Sequence, residues 1–214
     1  MGKRGPQLRR ALSPNPELEY SSQYRYPILS QMFSFRIDDN LTLRLPEKGD
    51  AETVTAAVHK NLKRLQEWMP WAVDDYSTEH ALDWIKRSRD GYAENGEFTA
   101  LILHDGRFIG SIGIHDLDLV NRHASIGYWI DQDHEARGII TRCCRDLIEY
   151  LFGTMELKRV QINCAIENVR SRAVPERLGF TLEGKLRQNE ILKHKSVDWA
   201  VYGLLKSEWE AGKV

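Results

Sequence analysis

The chain is 214 residues long, 29% of its residues are charged, and its formal net charge at pH 7 is −1. This length slightly exceeds what one α/β domain needs, which predicts one core of ordinary size plus an appendage. The balanced charge argues against direct nucleic-acid binding. The sequence has no apolar run of about 18 residues, which argues against a membrane partner. It also shows no signal-peptide pattern, so we expect a cytoplasmic protein.

A change in composition near residue 32 predicts a domain boundary. Residues 1–31 contain five basic and two acidic side chains and four prolines, and they show no sustained hydrophobic periodicity. Segments of this kind bury too little apolar surface to fold by themselves. We therefore expect residues 1–31 to be a mobile basic arm and residues 32–214 to form the domain.

The first half of the expected domain contains one strand pattern and two helix patterns. Residues 41–45, LTLRL, alternate apolar and polar side chains as a half-buried strand does. A helix is predicted next, because four apolar residues fall on one of its faces: Val54, Val58, Leu62 and Leu65. A second helix is predicted to open at Ser77 or Thr78, with one stripe formed by Ala81, Trp84, Ile85, Ser88 and Tyr92.

The segment between these helices, LQEWMPWAVDD at 65–75, interrupts the helix pattern with aromatic residues and a proline. Trp68 and Trp71 precede two acidic residues, Asp74 and Asp75. An acidic, aromatic mouth would suit a cationic amine, and a loop packed over the core would explain the same residues equally well.

Three strands are predicted in succession, at residues 97–104, 107–118 and 123–131. The first two are joined by Asp105-Gly106, a dipeptide that favours the tight type I′ turn of a β-hairpin. We therefore expect these strands to pair antiparallel.

A helix pattern follows the third strand, in the stretch HEARGIITRCCRDLIEYLF at 134–152. Its apolar face is formed by Ile139, Ile140, Cys143, Cys144, Leu147, Ile148 and Leu151. Gly138 precedes the helix, so an anion could reach the unpaired amide groups and the partial positive charge of the helix N-terminus. One glycine is weak support, and an ordinary strand-to-helix turn accounts for it as well.

The cysteines predict neither a disulfide framework nor a metal site. Their number, three, is odd, and neither they nor the histidines show the spacing of metal ligands. Cys143 and Cys144 are expected in the core, because neither has a neighbouring base that would make it a nucleophile.

The C-terminal part predicts a strand at RVQINCAI (159–166), a helix from Asn168 to Leu178, and strands at about 180–190 and 195–206. Pro175 lies inside the helix pattern, so the helix is expected to bend or to begin its regular part there, and Gly179 is expected to end it. In chain order the elements read β-α-α-β-β-β-α-β-α-β-β. This order predicts an α+β fold with helices around a mixed sheet.

Four motifs occur together in the order and spacing of a known superfamily. They are RGIIT at 137–141, NVRSRAVPERLGF at 168–180, GKLRQNE at 184–190 and VDWAVYGLLKSEW at 197–209. The chain resembles the GNAT (GCN5-related N-acetyltransferase) superfamily over roughly residues 32–209, and within it the ribosomal-protein N-terminal acetyltransferases of the RimJ/RimL type. The resemblance implies a mostly antiparallel sheet whose strands splay at the site of acetyl-coenzyme A (acetyl-CoA), without a metal.

The resemblance also implies that the coenzyme pyrophosphate binds in the turn before the helix. The residues that match are Arg137, Gly138, Ile139, Ile140 and Thr141. At the position of Glu135 the family usually has Gln or Arg. It has Gly at the position of Gly138, as here, and Gly or Ala at the position of Ile140. Glu135 is therefore expected to lower coenzyme affinity unless it points away or Arg137 offsets its charge.

The resemblance further implies that the pantetheine arm pairs with residues 125–131. It also implies that a backbone N–H near Trp129 or Ile130 donates a hydrogen bond to the thioester oxygen. The alternative is that Trp129 and Tyr128 are ordinary aromatic residues of the core with no role in the site.

Two side chains are implied to carry the proton transfers. By its place in the motif, Ser171 matches the proton donor to the leaving thiolate, and Asn168 matches a contact to pantetheine. Capping of the helix would explain both residues too. Glu190 matches the general base, acting through a water, and a solvated strand glutamate is the alternative.

Three functions remain open on these grounds. The first is an acetyl-CoA-dependent N-acetyltransferase that acts on a protein N-terminal α-amine, with Trp68, Trp71 and Tyr128 lining the acceptor site. The second is the same chemistry on a small amine, such as a polyamine or an amino sugar. The third is a noncatalytic coenzyme-binding or interaction module.

A homodimer is also expected, with Trp199 and Tyr202 on a sheet edge formed by residues 195–206.

Overall fold

A computed structural model of the protein describes residues 34–94, 96–193 and 195–212. The predicted arm, residues 1–31, lies outside the described residues, so the boundary near residue 32 stays a prediction. The strands in the described ranges are β1 (Ser34–Arg36), β2 (Leu41–Arg44), β3 (Phe98–His104), β4 (Arg107–Asp118), β5 (His123–Ile130), β6 (Arg159–Ala165), β7 (Thr181–Leu192) and β8 (Lys195–Leu205). The helices are α1 (Ala51–Leu65), α2 (Thr78–Glu94), α3 (Ile139–Gly153), α4 (Val169–Arg177) and α5 (Lys206–Glu210).

The strands of the described residues form one sheet of eight, in the order β1-β2-β3-β4-β5-β6-β8-β7. Every neighbouring pair is antiparallel except β5 and β6, which run parallel. The predicted mixed, mostly antiparallel sheet with flanking helices is therefore confirmed. The short strand β1 and the terminal helix α5 were not predicted.

The parallel pair β5 and β6 separates partway along its length. The two strands pair only between residues 123–125 and 159–161. Beyond Ser125, β5 continues to Ile130 beside β4, and β6 continues to Ala165 beside β8. The facing edges of residues 126–130 and 162–165 are therefore left open, which is the predicted splay.

The core lies on both faces of the sheet. On one face, α3 buries the predicted apolar stripe, including Cys143 and Cys144, against β4, β5 and β6. Burial raises the pKa of the Cys143 thiol to about 12 and raises that of Cys144 well above its usual value, so neither is a thiolate at neutral pH. On the other face, α1 and α2 pack against Leu101 and Trp129.

Two turns have the backbone conformation that their residues predict. Asp105 and Gly106 both have positive φ, 49° and 75°, as a type I′ hairpin turn requires. Gly179 has φ 76°, and the amides of Gly179 and Phe180 donate to the carbonyls of Glu176 and Pro175, which is a Schellman ending of α4. The regular helix begins at Val169, close to the predicted Asn168, and contains Pro175. Of the two alternatives for Pro175, a bend or the start of the regular helix, the second is therefore wrong.

The strand predicted to offer a sheet edge lies inside the sheet. β8 is hydrogen-bonded to β6 on one side and to β7 on the other, because the chain returns through a hairpin that places β7 outermost. Tyr202 on β8 is only 1% exposed and bonds Arg172 and Glu176. The expectation that Trp199 and Tyr202 form an edge patch is therefore wrong, and the homodimer stays a prediction without that edge.

No helix among the described residues is long and apolar enough to cross a membrane.

Candidate active site

A cavity of about 570 Å³ lies at the splay, and its lining comes from α1 and α2 as well as from β5, β6 and α4. It brings together candidates from four parts of the chain: the segment after α1, β5, α4 and β7. The predicted site residues that line it are Trp68, Trp71, Tyr128, Trp129, Asn168, Ser171 and Glu190. The turn residues 137–141 are not part of this lining and lie at the start of α3.

Ser171 is held by its helix and by β5. Its backbone amide donates to Oδ1 of Asn168 at 3.1 Å, so Asn168 caps α4 as the structural alternative supposed. This bond uses the amide of Ser171 and leaves its hydroxyl for the cavity. The hydroxyl donates to Oη of Tyr128 across a long 3.4 Å. Capping and a chemical role for Ser171 are therefore compatible.

Pro175 explains how Tyr128 reaches this helix. A residue at position 175 would normally donate its N–H to the carbonyl of Ser171, and proline has no N–H. Tyr128 instead donates its hydroxyl to that carbonyl at 3.0 Å. Burial raises the pKa of Tyr128 well above its usual value, so the phenol stays a neutral donor. β5 and the first turn of α4 are thereby joined at Ser171.

Glu190 enters the cavity beyond an irregular part of β7. Leu186 pairs with Trp199 and Glu190 with Val197, so three residues of β7 stand opposite the single residue Asp198. Bulges of this kind redirect side chains beside active sites. Nε1 of Trp199 donates to Oε2 of Glu190 at 3.3 Å. Burial raises the pKa of the Glu190 carboxyl and outweighs this hydrogen bond, which acts to lower the pKa. The raised pKa makes the carboxylate a better base.

The backbone at the end of β5 distinguishes the two amides proposed as oxyanion donors. The amide of Asp131 donates to the carbonyl of Ile109 at 2.6 Å, on the β4 side. Amide directions alternate along a strand, so the N–H of Trp129 also points to β4 and the N–H of Ile130 points into the splay. The side chain of Trp129 packs against Phe108 and Trp71, as a core aromatic would.

The turn before α3 is open to an anion. Gly138 has φ 69° and is the N-cap residue of α3, and it has no side chain of its own to cap the amides of the first turn. Among the residues that the structure describes, only Nη1 of Arg142 would lie within 4 Å of a Cβ atom at Gly138, at 3.8 Å. Uncapped amides in open space, at the positive end of a helix, match the requirements of a bound phosphate.

Glu135, the unfavourable residue of this turn, is neutralised by two arginines. Its Oε2 lies 2.6 Å from Nη1 of Arg170 on α4, and its Oε1 forms an ion pair with Arg64 on α1. Arg64 and Arg170 therefore offset the charge of Glu135, whereas the sequence had suggested Arg137 for this role.

A second set of contacts, which the sequence analysis missed, ties α1 to the end of β5. Nδ2 of Asn61 donates to Asp131 at 2.8 Å, and the amide of Gln132 donates to Oδ1 of Asn61 at 3.0 Å. Lys60 donates to Asp131 at 3.0 Å. One sequence feature could have indicated these contacts, because Asn61 is a polar residue within the apolar face of α1. In the structure Asn61 is only 2% exposed.

Asp131 is strongly held as a carboxylate in this cluster. Burial acts to raise its pKa, but the bonds from Asn61, Lys60 and the amide of Asp133 outweigh burial and lower the pKa to about 2.

The part of the cavity where the sequence predicted the acceptor is aromatic, but the acidic residues of the cavity are not the predicted ones. Trp71 packs against Tyr76 and Trp129 at centroid distances of 6.1 and 6.3 Å. Asp74 and Asp75 line a separate, smaller cavity. The acidic side chains of the main cavity, besides Glu190, are Asp83 and Glu97, which the sequence analysis did not single out.

Comparison with known proteins gives consistent matches. The family model of the acetyltransferase (GNAT) domain matches residues 40–181. YdaF from Bacillus subtilis (strain 168), which is named as a provisional ribosomal N-acetyltransferase, is 42% identical over 187 residues, covering 85% of this chain and 100% of YdaF. The ribosomal-protein-serine acetyltransferase of Escherichia coli (strain K12) is 28% identical over 173 residues, 79% of this chain and 94% of that protein.

A solved structure is similar over most of the chain as well. It is that of the microcin C7 self-immunity acetyltransferase MccE in complex with acetyl-CoA and AMP. MccE is 28% identical with a TM-score of 0.75, and the match covers 79% of this chain and 94% of MccE.

Proposed function

The chain belongs to the GNAT family of acetyltransferases, which makes it an acetyl-CoA-dependent N-acetyltransferase, and on this basis we propose that its acceptor is the α-amine of a protein N-terminus. The observation that carries the proposal is that Ser171 and Glu190 line one cavity beside the open edges of β5 and β6. Two relatives, YdaF and the E. coli enzyme, are named for ribosomal-protein acetylation.

Two features of the fold would receive acetyl-CoA. Residues 137–141 would bind the pyrophosphate through the uncapped amides at the start of α3. The open edge of β5, residues 126–130, would hydrogen-bond the amides of the pantetheine arm, and Asn168 would contact the same arm. The coenzyme supplies an acetyl thioester, and the protein positions its carbonyl near the amide of Ile130.

The cavity side chains then account for both protons of the transfer. Glu190 accepts the proton that the attacking amine loses, directly or through a water. Ser171 donates its proton to the sulfur that leaves when the C–S bond breaks, and it regains a proton from solvent. The amide of Ile130 donates to the oxygen that gains negative charge as the N–C bond forms.

The size of the cavity and the presence of a single carboxylate as base support this acceptor class. A cavity of about 570 Å³ holds more than an amine, so it can enclose the first residues of a polypeptide. An α-amine with a pKa near 8 is about one-tenth neutral at pH 7, so a single carboxylate suffices as base. Asp83 and Glu97 in the cavity favour a cationic small amine as the second candidate.

A thiol-release assay with acetyl-CoA tests the acceptor class. Peptides that begin with Ser, Ala or Thr are compared with spermine and free lysine, and each peptide is also supplied with a blocked, acetylated N-terminus. We expect release with the free peptides and background with the blocked ones. Higher kcat/KM for spermine than for every peptide would overturn the peptide acceptor and favour the small-amine enzyme.

A further inference from the structure

Glu135 sits three residues before Gly138, at the turn proposed to bind the pyrophosphate, and bridges two helices. Its carboxylate contacts Arg64 on α1 and Arg170 on α4. The Glu135 side chain is 21% exposed, whereas that of Arg170 is 79% exposed. An acidic residue beside a phosphate site is thus enclosed between two cations.

The two arginines differ in how much they depend on Glu135. Arg64 also donates to the carbonyl of Ile130 and to Oδ1 of Asn61 at 3.3 Å, so other bonds keep it in place. For Arg170, the bond to Glu135 is the only hydrogen bond or ion pair that its guanidinium makes within residues 34–94, 96–193 and 195–212. Glu135 therefore decides where the Arg170 guanidinium is held.

Two physical effects of Glu135 on an anionic ligand have opposite signs. Its charge repels a phosphate, but Arg64 and Arg170 leave the three-residue group with a net charge of +1. Its bond also orders Arg170, a long side chain that loses rotamer entropy when it is immobilised. Nη1 of Arg170 binds Glu135, so the remaining N–H donors of the guanidinium are available to a phosphate.

We propose that Glu135 is a positioning residue that holds Arg170 as a phosphate ligand of the coenzyme, and that Glu135 therefore raises coenzyme affinity. The inference rests on the proposed function, in which the coenzyme phosphates lie at residues 137–141. It reverses the sign that the sequence analysis expected for Glu135. Arg170 contacts the ligand, and Glu135 acts through Arg170.

Calorimetric titration of the full chain with coenzyme A tests the sign. Glu135→Gln keeps the size of the side chain and removes its charge. We expect its Kd to rise roughly three- to tenfold, because Arg170 must then be ordered at the expense of binding. Arg170→Gln should weaken binding by a similar factor, and the double variant should be no weaker than Arg170→Gln alone. Glu183→Gln, which breaks the ion pair between Glu183 on β7 and Arg159 on β6, is the matched control and should leave Kd unchanged.

A phosphate-free acetyl donor separates ligand positioning from general damage to the fold. Glu135→Gln should lower kcat/KM for acetyl-CoA and leave kcat/KM for acetylpantetheine unchanged, because the second donor has no phosphate for Arg170 to contact. An equal loss with both donors would overturn the proposal and leave Glu135 a purely structural residue. A Kd that falls or stays the same in Glu135→Gln would overturn it as well.

Gly138→Asp distinguishes a failure of this inference from a failure of the proposed phosphate site. If Gly138→Asp weakens coenzyme binding while Glu135→Gln does not, only the role of Glu135 is overturned. If Gly138→Asp leaves Kd unchanged, the phosphate assignment of the turn is wrong, and the role of Glu135 falls with it.

Discussion

At the scale of single residues, the hydroxyl of Ser171 can be removed without touching the cap of α4, because the cap uses the backbone amide of Ser171. Ser171→Ala should therefore lower kcat by about 10²-fold or more and leave the Kd of coenzyme A nearly unchanged, since a proton donor acts mainly on charge that develops in the transition state. Steady-state kinetics beside calorimetry checks this. Ser196→Ala, an exposed serine on β8, is the control. A raised Kd with unchanged kcat would make Ser171 a binding residue.

Glu190 should reveal its role in a pH profile. Its raised pKa makes it a stronger base, and it is unprotonated at any pH above that pKa. Glu190→Gln should therefore lose most activity near pH 6, where an α-amine is largely protonated, and lose less as the pH approaches about 8, the pKa of the amine. Glu190→Asp should retain part of the activity. A ratio of variant to wild type that is constant from about pH 6 to 9 would exclude Glu190 as the base.

At the scale of elements, the N-terminus of α3 and the glycine that begins it act as one anion site. Gly138→Asp would place a carboxylate beside the uncapped amides, so coenzyme affinity should fall by more than tenfold, or about 1.4 kcal/mol. Gly106→Asp is the matched control: Gly106 has φ 75°, close to the 69° of Gly138, and open space around it, but it lies in the β3–β4 hairpin. Calorimetry that shows equal affinity for both variants would refute the site.

The junction between α4 and β5 is a second coupling between elements. Pro175 frees the carbonyl of Ser171, and Tyr128 binds it. Because both partners of the bond are fixed to regular elements, the strand that would hold pantetheine and the helix that carries Ser171 are held together at one place.

At the scale of the whole molecule, Asp131 links α1 to the end of β5 and should make stability depend on pH. A carboxyl whose folded pKa is about 2, below an unfolded value of about 3.9, stabilises the fold above pH 4, and this contribution disappears as the pH falls through 2. The contribution is on the order of 2 kcal/mol. In urea unfolding from pH 7 to 2, wild type should therefore lose more stability than Asp131→Asn. Parallel curves for the two proteins would show that Asp131 does not titrate as proposed.

Local patterns in the chain predicted most of the fold. Helices α1 to α4 and strands β2 to β8 lie close to the predicted positions, because the spacing of apolar residues such as Val54, Val58 and Leu65 depends only on the period of the element they form. The tight hairpin and the end of α4 followed from Asp105-Gly106 and Gly179, whose backbone conformations are local properties. The motifs that suggested acetyl transfer are likewise short stretches of neighbouring residues.

The contacts that shape the site did not follow from such patterns. Glu135 meets Arg170, Tyr128 meets Ser171, and Asn61 meets Asp131 across 35, 43 and 70 positions of the chain. No helical or strand period relates residues that far apart, and only the packing of α1 and α4 around the end of β5 brings them together. The internal position of β8 has the same origin, because strand order depends on how the last hairpin returns to the sheet and not on the side-chain alternation within the strand.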